Sequence, residues 1–296
     1  MRRAVAVLLL IAALPLSALA AKPEGPVDAM TMIDFRRGPH FKVGDWVKYH
    51  THGNSEQGFK TDYTVTVLIA GEELWWGEEC FWVESQTSYS GRSPELAASL
   101  LSYAVFQDSL PARHFQRYIR KYIDGFDEQG VPVQQLFQRA PSELIIRGYG
   151  EYEPYRQRDT LGVEQVEVPK GTFDALREIQ RFREYTTQQD GDSTVYFERT
   201  EDYTHWWSDT IPITSLVRVD QEDTQRRRVW MIGESQDAPL RIAERAIGST
   251  ELVDFGTGMK PRLVPERFQR PLSEQRAPRP KRPPPPAARK ATGTRG

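Results

Sequence analysis

The sequence has a single cysteine in 296 residues, so no disulfide bond can form within one chain. Cys80 lies among large apolar residues in the stretch LWWGEECFWVES, which is typical of a buried and unreactive thiol. A chain of this length can be stabilised by apolar burial alone. We therefore expect a fold that depends on its hydrophobic core.

The sequence also lacks the short motifs of common enzyme classes. It has no GxSxG nucleophile elbow, phosphate-binding loop, dinucleotide-binding glycine fingerprint or HExxH zinc motif. Ser208, His205 and Asp209 invite comparison with a catalytic triad, but spacing in sequence is not geometry. His50 and His52 would project from one side of a strand, yet no third metal ligand is near them in sequence. We therefore predict a non-enzymatic protein with no metal site and no cofactor.

The N-terminus has a pattern that is typical of exported proteins. Arg2 and Arg3 precede an apolar run that ends in small residues, including Ala18 and Ala20. This pattern predicts a cleaved signal peptide over 1–21. Because the run is shorter than the ~20 apolar residues that span a bilayer and no lipobox cysteine follows it, we expect a periplasmic or secreted protein that is not integral to a membrane.

The C-terminus has few bulky apolar residues. The segment 259–296 is rich in Pro, Arg, Lys and Ala, which predicts a disordered tail. Residues 261–296 contain ten basic and two acidic residues, whereas 22–260 contain 27 basic and 39 acidic residues. A basic tail on an acidic body could contact an anionic surface or an envelope protein, or could bind nothing specifically. Nucleic acid is not an expected partner outside the cytoplasm.

Alternation of apolar and polar residues from Gly44 onward predicts β-strands. GDWVKYHTHG and TDYTVTVLIAGEE show this period, and further strand-like runs follow Gly125. The short turns between the runs favour an antiparallel meander. The segment 93–124 differs, because Ser93 and Pro94 suit a helix start and the apolar residues that follow have helical spacing. These residues predict a helical insert.

The elements together indicate an α+β fold. We expect a large curved antiparallel sheet of about ten or eleven strands, open as a half-barrel, with the helical insert packed on its concave face. This domain would cover 44–258, after an N-terminal extension over 22–43. An open, curled sheet leaves an apolar space between itself and the helices, and such a space is a usual form of ligand site.

Aromatic residues mark the candidate cavity. All seven tryptophans fall on predicted strands, where they either form an ordinary core or line a ligand site, and the sequence does not separate these alternatives. Adjacent strand residues face opposite sides, so Trp75/Trp76 and Trp206/Trp207 predict that both faces of the sheet bury something. The candidate lining residues are Trp46, Trp76, Trp82, Leu100, Phe115, Ile119, Phe173, Trp207 and Trp230.

The stretch YTHWWSDTIPITSLVRVD is predicted to form a hairpin. One strand ends at Trp206-Trp207, and Ser208-Asp209-Thr210 forms the turn. The next strand would begin at Ile211, where Pro212 is tolerated because a strand start needs no ladder donor.

Three stretches in this order resemble a known family. They are GDWVKY (44–49), VPKGTFDALREIQRF (168–182) and HWWSDTIPITSLVRVD (205–220). They resemble exported bacterial proteins with the half-barrel fold of the Lol-type lipoprotein carriers, including the LppX-like families. The resemblance implies a curved sheet of eleven or so strands, a helical lid and an apolar interior able to hold acyl chains. The segment 93–124 and the basic tail are not part of the family pattern.

Two hypotheses of function follow. In the first, the protein is a periplasmic carrier or chaperone that binds a lipid or an acylated molecule in the half-barrel. In the second, it is an envelope interaction protein in which the sheet is a scaffold and the basic tail docks to a partner or an anionic surface.

Overall fold

Strands dominate the structure. The computed structural model describes residues 32–108, 115–127, 129–136, 155–231 and 239–275, so the predicted signal peptide lies outside the described residues. The strands are β1 (Trp46–Ser55), β2 (Lys60–Trp75), β3 (Glu78–Tyr89), β4 (Glu95–Ser102), β5 (Ile119–Phe126), β6 (Pro132–Leu136), β7 (Tyr155–Val168), β8 (Gly171–Asp190), β9 (Ser193–Trp207), β10 (Leu216–Met231) and β11 (Arg241–Gly256). Short 3₁₀ helices cover Tyr103–Gln107, Phe115–Tyr118 and Glu266–Phe268, and a single α-helical turn covers Leu272–Gln275.

All eleven strands belong to one sheet, in the order β6-β5-β4-β3-β2-β1-β11-β10-β9-β8-β7. Every neighbouring pair is antiparallel. The first and last strands, β1 and β11, pair in the middle, while β6 and β7 form the two open edges. The sheet is therefore a meander that is not closed into a barrel, which confirms the predicted open antiparallel half-barrel.

The sheet curls around an inner core. Val47 of β1 shares this core with Val166 and Val168 of β7, although four strands separate β1 from β7 in the sheet. At the same place the backbone N–H of Lys170 donates to the carbonyl of Leu252 across 3.3 Å. A flat sheet could not bring these residues together, so the inner core lies on the concave face.

The prediction of a helical insert over 93–124 is wrong. The described residues of this segment form β4, two short 3₁₀ helices and β5, and residues 109–114 lie outside the described residues. Leu100 and Leu101 are both fully buried but belong to cores on opposite faces of the sheet. Pairing of β4 with β3 and β5 outweighs the local helical preference. A strand that is covered on both faces reads as a continuous run of apolar residues, and such a run resembles a buried helix in sequence.

A C-terminal strap, residues 259–275, covers the opposite face of the sheet. Leu263 and Val264 of the strap complete an outer core with side chains of β2, β3, β4 and β5, and Phe268 packs against it. The prediction of a disordered tail is therefore wrong for 259–275, because these residues carry enough apolar surface to dock. Residues 276–296 lie outside the described residues.

Two carboxylates of the sheet, the buried Glu84 and the half-buried Glu72, fix the strap to the sheet. Glu84, only 5% exposed, accepts backbone N–H bonds from Arg262 and Leu263, each across 2.8 Å, and from Val264 across 3.4 Å. The carboxylate of Glu72 accepts the backbone N–H of Leu272 across 2.7 Å. The strap thus joins the sheet through directed bonds as well as apolar contacts.

An N-terminal segment, residues 32–41, closes the inner core. Met32, Ile33 and Phe35 are buried in it, and the backbone N–H of Asp34 donates to the carbonyl of Ile213 across 3.0 Å. The predicted boundary at residue 44 is therefore wrong for this segment, which contributes side chains to the domain core instead of preceding the domain.

The loop between β9 and β10 also fills the inner core. The earlier strand ends at Trp207 as expected, but the next one begins at Leu216 and not at Ile211. Ile211 and Ile213 are fully buried, and Ile213 and Ser215 have φ angles of 67° and 53°. A β-branched residue rarely adopts such an angle, so tertiary burial of both isoleucines holds the loop out of the extended form that their side chains favour.

Candidate ligand-binding site

Five aromatic rings meet in the inner core and form what we call the aromatic cluster. Its members are Phe35, Phe41, Phe81, Tyr103 and Phe106, with ring centroids 4.8–6.4 Å apart in each contacting pair. Only Phe81 belongs to a strand. The other four come from the N-terminal segment and from the 3₁₀ helix Tyr103–Gln107. The concave face is thus covered by short segments that are not part of the sheet.

Tyr49 of β1 holds the loop between β9 and β10 against this face. Its hydroxyl lies 2.5 Å from the hydroxyl of Thr214 and donates to the carbonyl of Leu216 across 2.7 Å. The side chain is fully buried, and burial raises the pKa of Tyr49 far above its usual value. Tyr49 therefore stays protonated, and its hydroxyl holds the loop between β9 and β10 against the concave face.

A polar cluster forms where the N-terminal segment meets β7, β8 and β9. Its members are Arg36, Arg158, Glu178, His205 and Trp207. The guanidinium carbon of Arg36 lies 3.8 Å from the ring centroid of Trp207, which stacks on His205 at 4.9 Å with an angle of 6° between the rings. Glu178 pairs with His205 across β8 and β9, and its buried carboxylate contacts Arg158 at 2.5 Å and Arg36 at 4.0 Å. Arg36 also pairs with the buried Asp34 at 2.8 Å, so two buried carboxylates face two cations next to the stacked rings of Trp207 and His205.

His205 is neutral in this setting. Burial lowers the pKa of His205 to about 4; Glu178 opposes this shift, while Arg36 and Arg158 reinforce it. Within the described part of the chain, the Nδ1 atom of His205 and the Nε1 atom of Trp207 are buried without a hydrogen-bond partner. Buried polar atoms are normally paired, so these two could bond to a polar group of a ligand.

Stability should depend on pH through His205. Its folded pKa of about 4 lies below the ordinary 6.5, so the unfolded chain binds a proton first as pH falls. The contribution is fully present above pH 6.5 and is lost as pH falls towards 4, by about 2 to 3 kcal/mol. Urea unfolding of the wild type and of His205→Gln at neutral pH and at about pH 4.5 measures the difference, since Glu178, Arg36 and Arg158 remain in both. An equal loss in the two proteins would contradict this role.

The nine predicted lining residues do not share one cavity. Three contact the inner core: Ile119, Phe173 and Trp207. Three lie at the outer core, on the face that the strap covers: Trp46, Trp82 and Leu100. The others lie elsewhere: Trp76 is 91% exposed in a turn, Trp230 is half-buried near the end of β10, and Phe115 begins the second 3₁₀ helix.

The sequence analysis missed most of the aromatic cluster. Phe35 and Phe41 precede the first strand, in a segment without periodic pattern, and Tyr103 and Phe106 fall in the supposed helical insert. The available signal was the apolar run MTMIDF (30–35), because bulky apolar residues outside a strand pattern need a core to cover them.

The structure does not bring His205, Ser208 and Asp209 together as a triad. The Ser208 hydroxyl lies 3.0 Å from the hydroxyl of Thr210, and the exposed Asp209 pairs with Arg37. Neither residue contacts His205 in the bonds described. His50 instead pairs with Asp62 at 2.8 Å. Across the described ranges no group of three or more His, Cys, Asp or Glu residues could hold a metal ion. Nor does any helix in those ranges have the length and apolar character to cross a membrane.

Three solved structures of bacterial proteins are similar to this chain at low TM-scores. One, from Bacteroides fragilis, is provisionally described as an exported protein with a YmcC-like fold; it is 12% identical, with a TM-score of 0.30, over 74% of this chain and 98% of its own. A second, from Parabacteroides distasonis, is provisionally described as a lipoprotein; it is 12% identical, with a TM-score of 0.29, over 74% and 97%. A third, a LolA-superfamily protein from Nitrosomonas europaea, is 9% identical, with a TM-score of 0.24, over 80% and 96%.

The third structure belongs to the superfamily that the sequence resembles. No family model matches the chain, and no curated protein matches it. The architecture of the concave face, and not these similarities, therefore carries the functional conclusion.

Proposed function

We propose that the protein is an exported, non-enzymatic carrier or chaperone that binds an acyl chain, or a similar apolar ligand, against the concave face of its sheet. The construction of the inner core supports this proposal. The sheet provides a continuous apolar floor, whereas separate short segments provide the cover. A cover of this kind can be exchanged for a ligand without breaking the backbone hydrogen bonds between the strands.

The N-terminal segment is the part that a ligand would replace. Phe35 and Phe41 contribute two rings to the aromatic cluster, and an acyl chain in their place would restore most of the lost dispersion contacts. The apolar floor would then be covered to a similar extent in both forms, by the N-terminal segment in one and by the ligand in the other. A ligand with a modestly higher affinity for the form without the segment would be enough to shift the population towards that form.

The polar cluster gives the ligand a direction. Arg36 would leave with the N-terminal segment, but Arg158 belongs to β7, and its side chain is 55% exposed. A charged or hydrogen-bonding head group could contact this cation while the chain lies on the apolar floor. This arrangement of an apolar body with a few convergent polar groups is usual for small-molecule sites.

Substitution of Phe106 tests this site. Phe106→Glu places a carboxylate inside the aromatic cluster, where an acyl chain would have to desolvate it, so we expect uptake of a fluorescent fatty acid by the delipidated protein to fall at least about tenfold. Phe59→Glu is the matched control, because Phe59 is 53% exposed in the turn between β1 and β2. Equilibrium titration of the fluorescent probe gives both affinities.

Two outcomes would count against the proposal. The first is a delipidated wild-type protein that is folded by circular dichroism and takes up no probe. The second is equal loss of uptake in Phe106→Glu and Phe59→Glu, because that would mean that the probe adsorbs to the surface. A thermal melt of each variant shows whether it is folded before titration.

A further inference from the structure

The N-terminal segment brings one cation and one anion to the polar cluster. Asp34 is buried, and its carboxylate accepts from the backbone N–H of Arg36 across 3.1 Å and from the Arg36 guanidinium across 2.8 and 3.1 Å. Both residues belong to 32–41, the segment that an acyl ligand would replace in the proposed function. When the segment leaves the inner core, the two charges therefore leave as a pair.

The cation occupies a site that the sheet provides. The guanidinium carbon of Arg36 lies 3.8 Å from the ring centroid of Trp207, and its Nη1 atom lies 4.0 Å from the carboxylate of Glu178, which is only 1% exposed. Trp207 ends β9 and Glu178 belongs to β8, so neither side chain leaves with the segment. Glu178 would keep Arg158 as a partner, but the indole face would lose its cation. An aromatic face beside a buried carboxylate favours an ammonium group in that place.

The anion has a partner in the loop between β9 and β10. Burial alone would raise the pKa of Asp34, but hydrogen bonds from Arg36 and Ser215 and the charge of Arg36 lower it overall. Ser215 is fully buried, and its hydroxyl also lies 3.1 Å from the Nε2 atom of His40, which belongs to the same N-terminal segment. Departure of the segment therefore takes both of these partners away from Ser215. An anionic group in the place of Asp34 would restore a hydrogen bond to this buried hydroxyl.

We propose that the ligand is an acyl lipid with a zwitterionic head group, whose phosphate and ammonium take the places of Asp34 and Arg36. This proposal rests on the proposed function and adds the chemical class of the ligand to it. The ammonium lies over the ring of Trp207 beside Glu178, and the phosphate accepts from the hydroxyl of Ser215. A head group with a single charge replaces only one member of the departing pair, so it leaves half of the site unfilled.

Three single-chain lipids of equal chain length separate the two charges. Dodecylphosphocholine carries both, dodecyl phosphate carries only the anion, and dodecyltrimethylammonium carries only the cation. Titration calorimetry below their micelle concentrations should give a dissociation constant for the zwitterion that is at least about tenfold lower than for either of the others. Equal affinities for the three lipids would overturn the zwitterion proposal and leave the proposed function intact. Failure of all three to bind would contradict the proposed function as well.

Glu178→Gln tests the site of the cation. The change removes the charge and keeps the shape of the side chain, so the zwitterion should lose its advantage over dodecyl phosphate, while dodecyl phosphate itself should bind no more weakly. Glu198→Gln is the matched control, because Glu198 is a buried carboxylate of β9 that also pairs with two cations, Arg183 at 2.8 Å and Arg226 at 3.1 Å. The control should keep the preference of the wild type.

Two results with these variants would overturn the proposal. One is a preference for the zwitterion that survives in Glu178→Gln, and the other is a preference that is lost equally in both variants. A thermal melt shows whether each variant is folded, and the three lipids test the wild type independently of both.

Discussion

A chain that ends at Gly258 is expected to be less stable than one that ends at Gln275 by about 5 kcal/mol or more. The shorter chain loses three buried side chains of the strap, Leu263, Val264 and Leu272, each of which contributes about 1.5–3 kcal/mol when fully buried. It also uncovers Trp82 and Leu100, which form the floor of the outer core. Neither chain contains 276–296, so the comparison measures the strap alone.

Urea unfolding of the two truncated chains measures this difference. The chain that ends at Gln275 should unfold like the full mature chain, whereas the shorter chain should unfold at much lower urea or fail to fold. A milder variant, Glu84→Ala, removes the acceptor for the backbone N–H groups of 262–264 and should cost about 2 to 4 kcal/mol. Equal unfolding midpoints for the two truncated chains would mean that the strap does not stabilise the sheet.

The second large effect is expected for the double variant Phe35→Ala and Phe41→Ala. Loss of two rings from the aromatic cluster should destabilise the protein by about 3–5 kcal/mol or more, because cavities form where the rings packed. A ligand that occupies the same space would fill those cavities. Saturation with a long-chain fatty acid should therefore raise the melting temperature of the double variant more than that of the wild type.

Differential scanning calorimetry with and without the fatty acid gives the two shifts. The matched control is Leu263→Ala, which opens a cavity in the outer core, on the other face of the sheet. Its melting temperature should respond to the fatty acid only as much as that of the wild type. A larger response in the control would place the ligand under the strap instead of on the concave face.

Much of the sheet outside 93–124 could be predicted because its strands carry a local signal. Val47 and Tyr49 of β1 are buried while Trp46 and Lys48 point the other way, and the same alternation runs from Tyr63 to Val67 of β2. Short turns then leave antiparallel pairing as the simplest connection. The open meander follows from local information of this kind.

The two covers could not be predicted in the same way. The N-terminal segment and the strap have no period of their own, and their positions depend on contacts with residues far away in the sequence, such as Leu263 with Glu84. The segment 93–124 was misread for a related reason, because Leu100 and Leu101 are buried on opposite faces and imitate one face of a helix. Long-range pairing decides such cases, and a single sequence does not contain it explicitly.

In the candidate site, too, residues on strands could be predicted and residues placed by tertiary contacts could not. Trp207 and Phe173 were found because aromatic residues on strands are conspicuous, and both contact the inner core. Arg36 was missed, since its role depends on a contact with Trp207 that spans most of the chain. Polar residues that act through tertiary contacts have no periodic signal, and only the fold brings them together.

Hydrogen exchange in the N-terminal segment tests the central claim most directly. The amide of Asp34 is bonded to the carbonyl of Ile213, so it should exchange slowly in the delipidated protein. If an acyl chain replaces the segment on the concave face, saturation with a long-chain fatty acid should speed exchange at Asp34 and its neighbours while leaving β1 and β2 protected. A bound fatty acid that leaves exchange over 32–41 unchanged or slower would contradict the account.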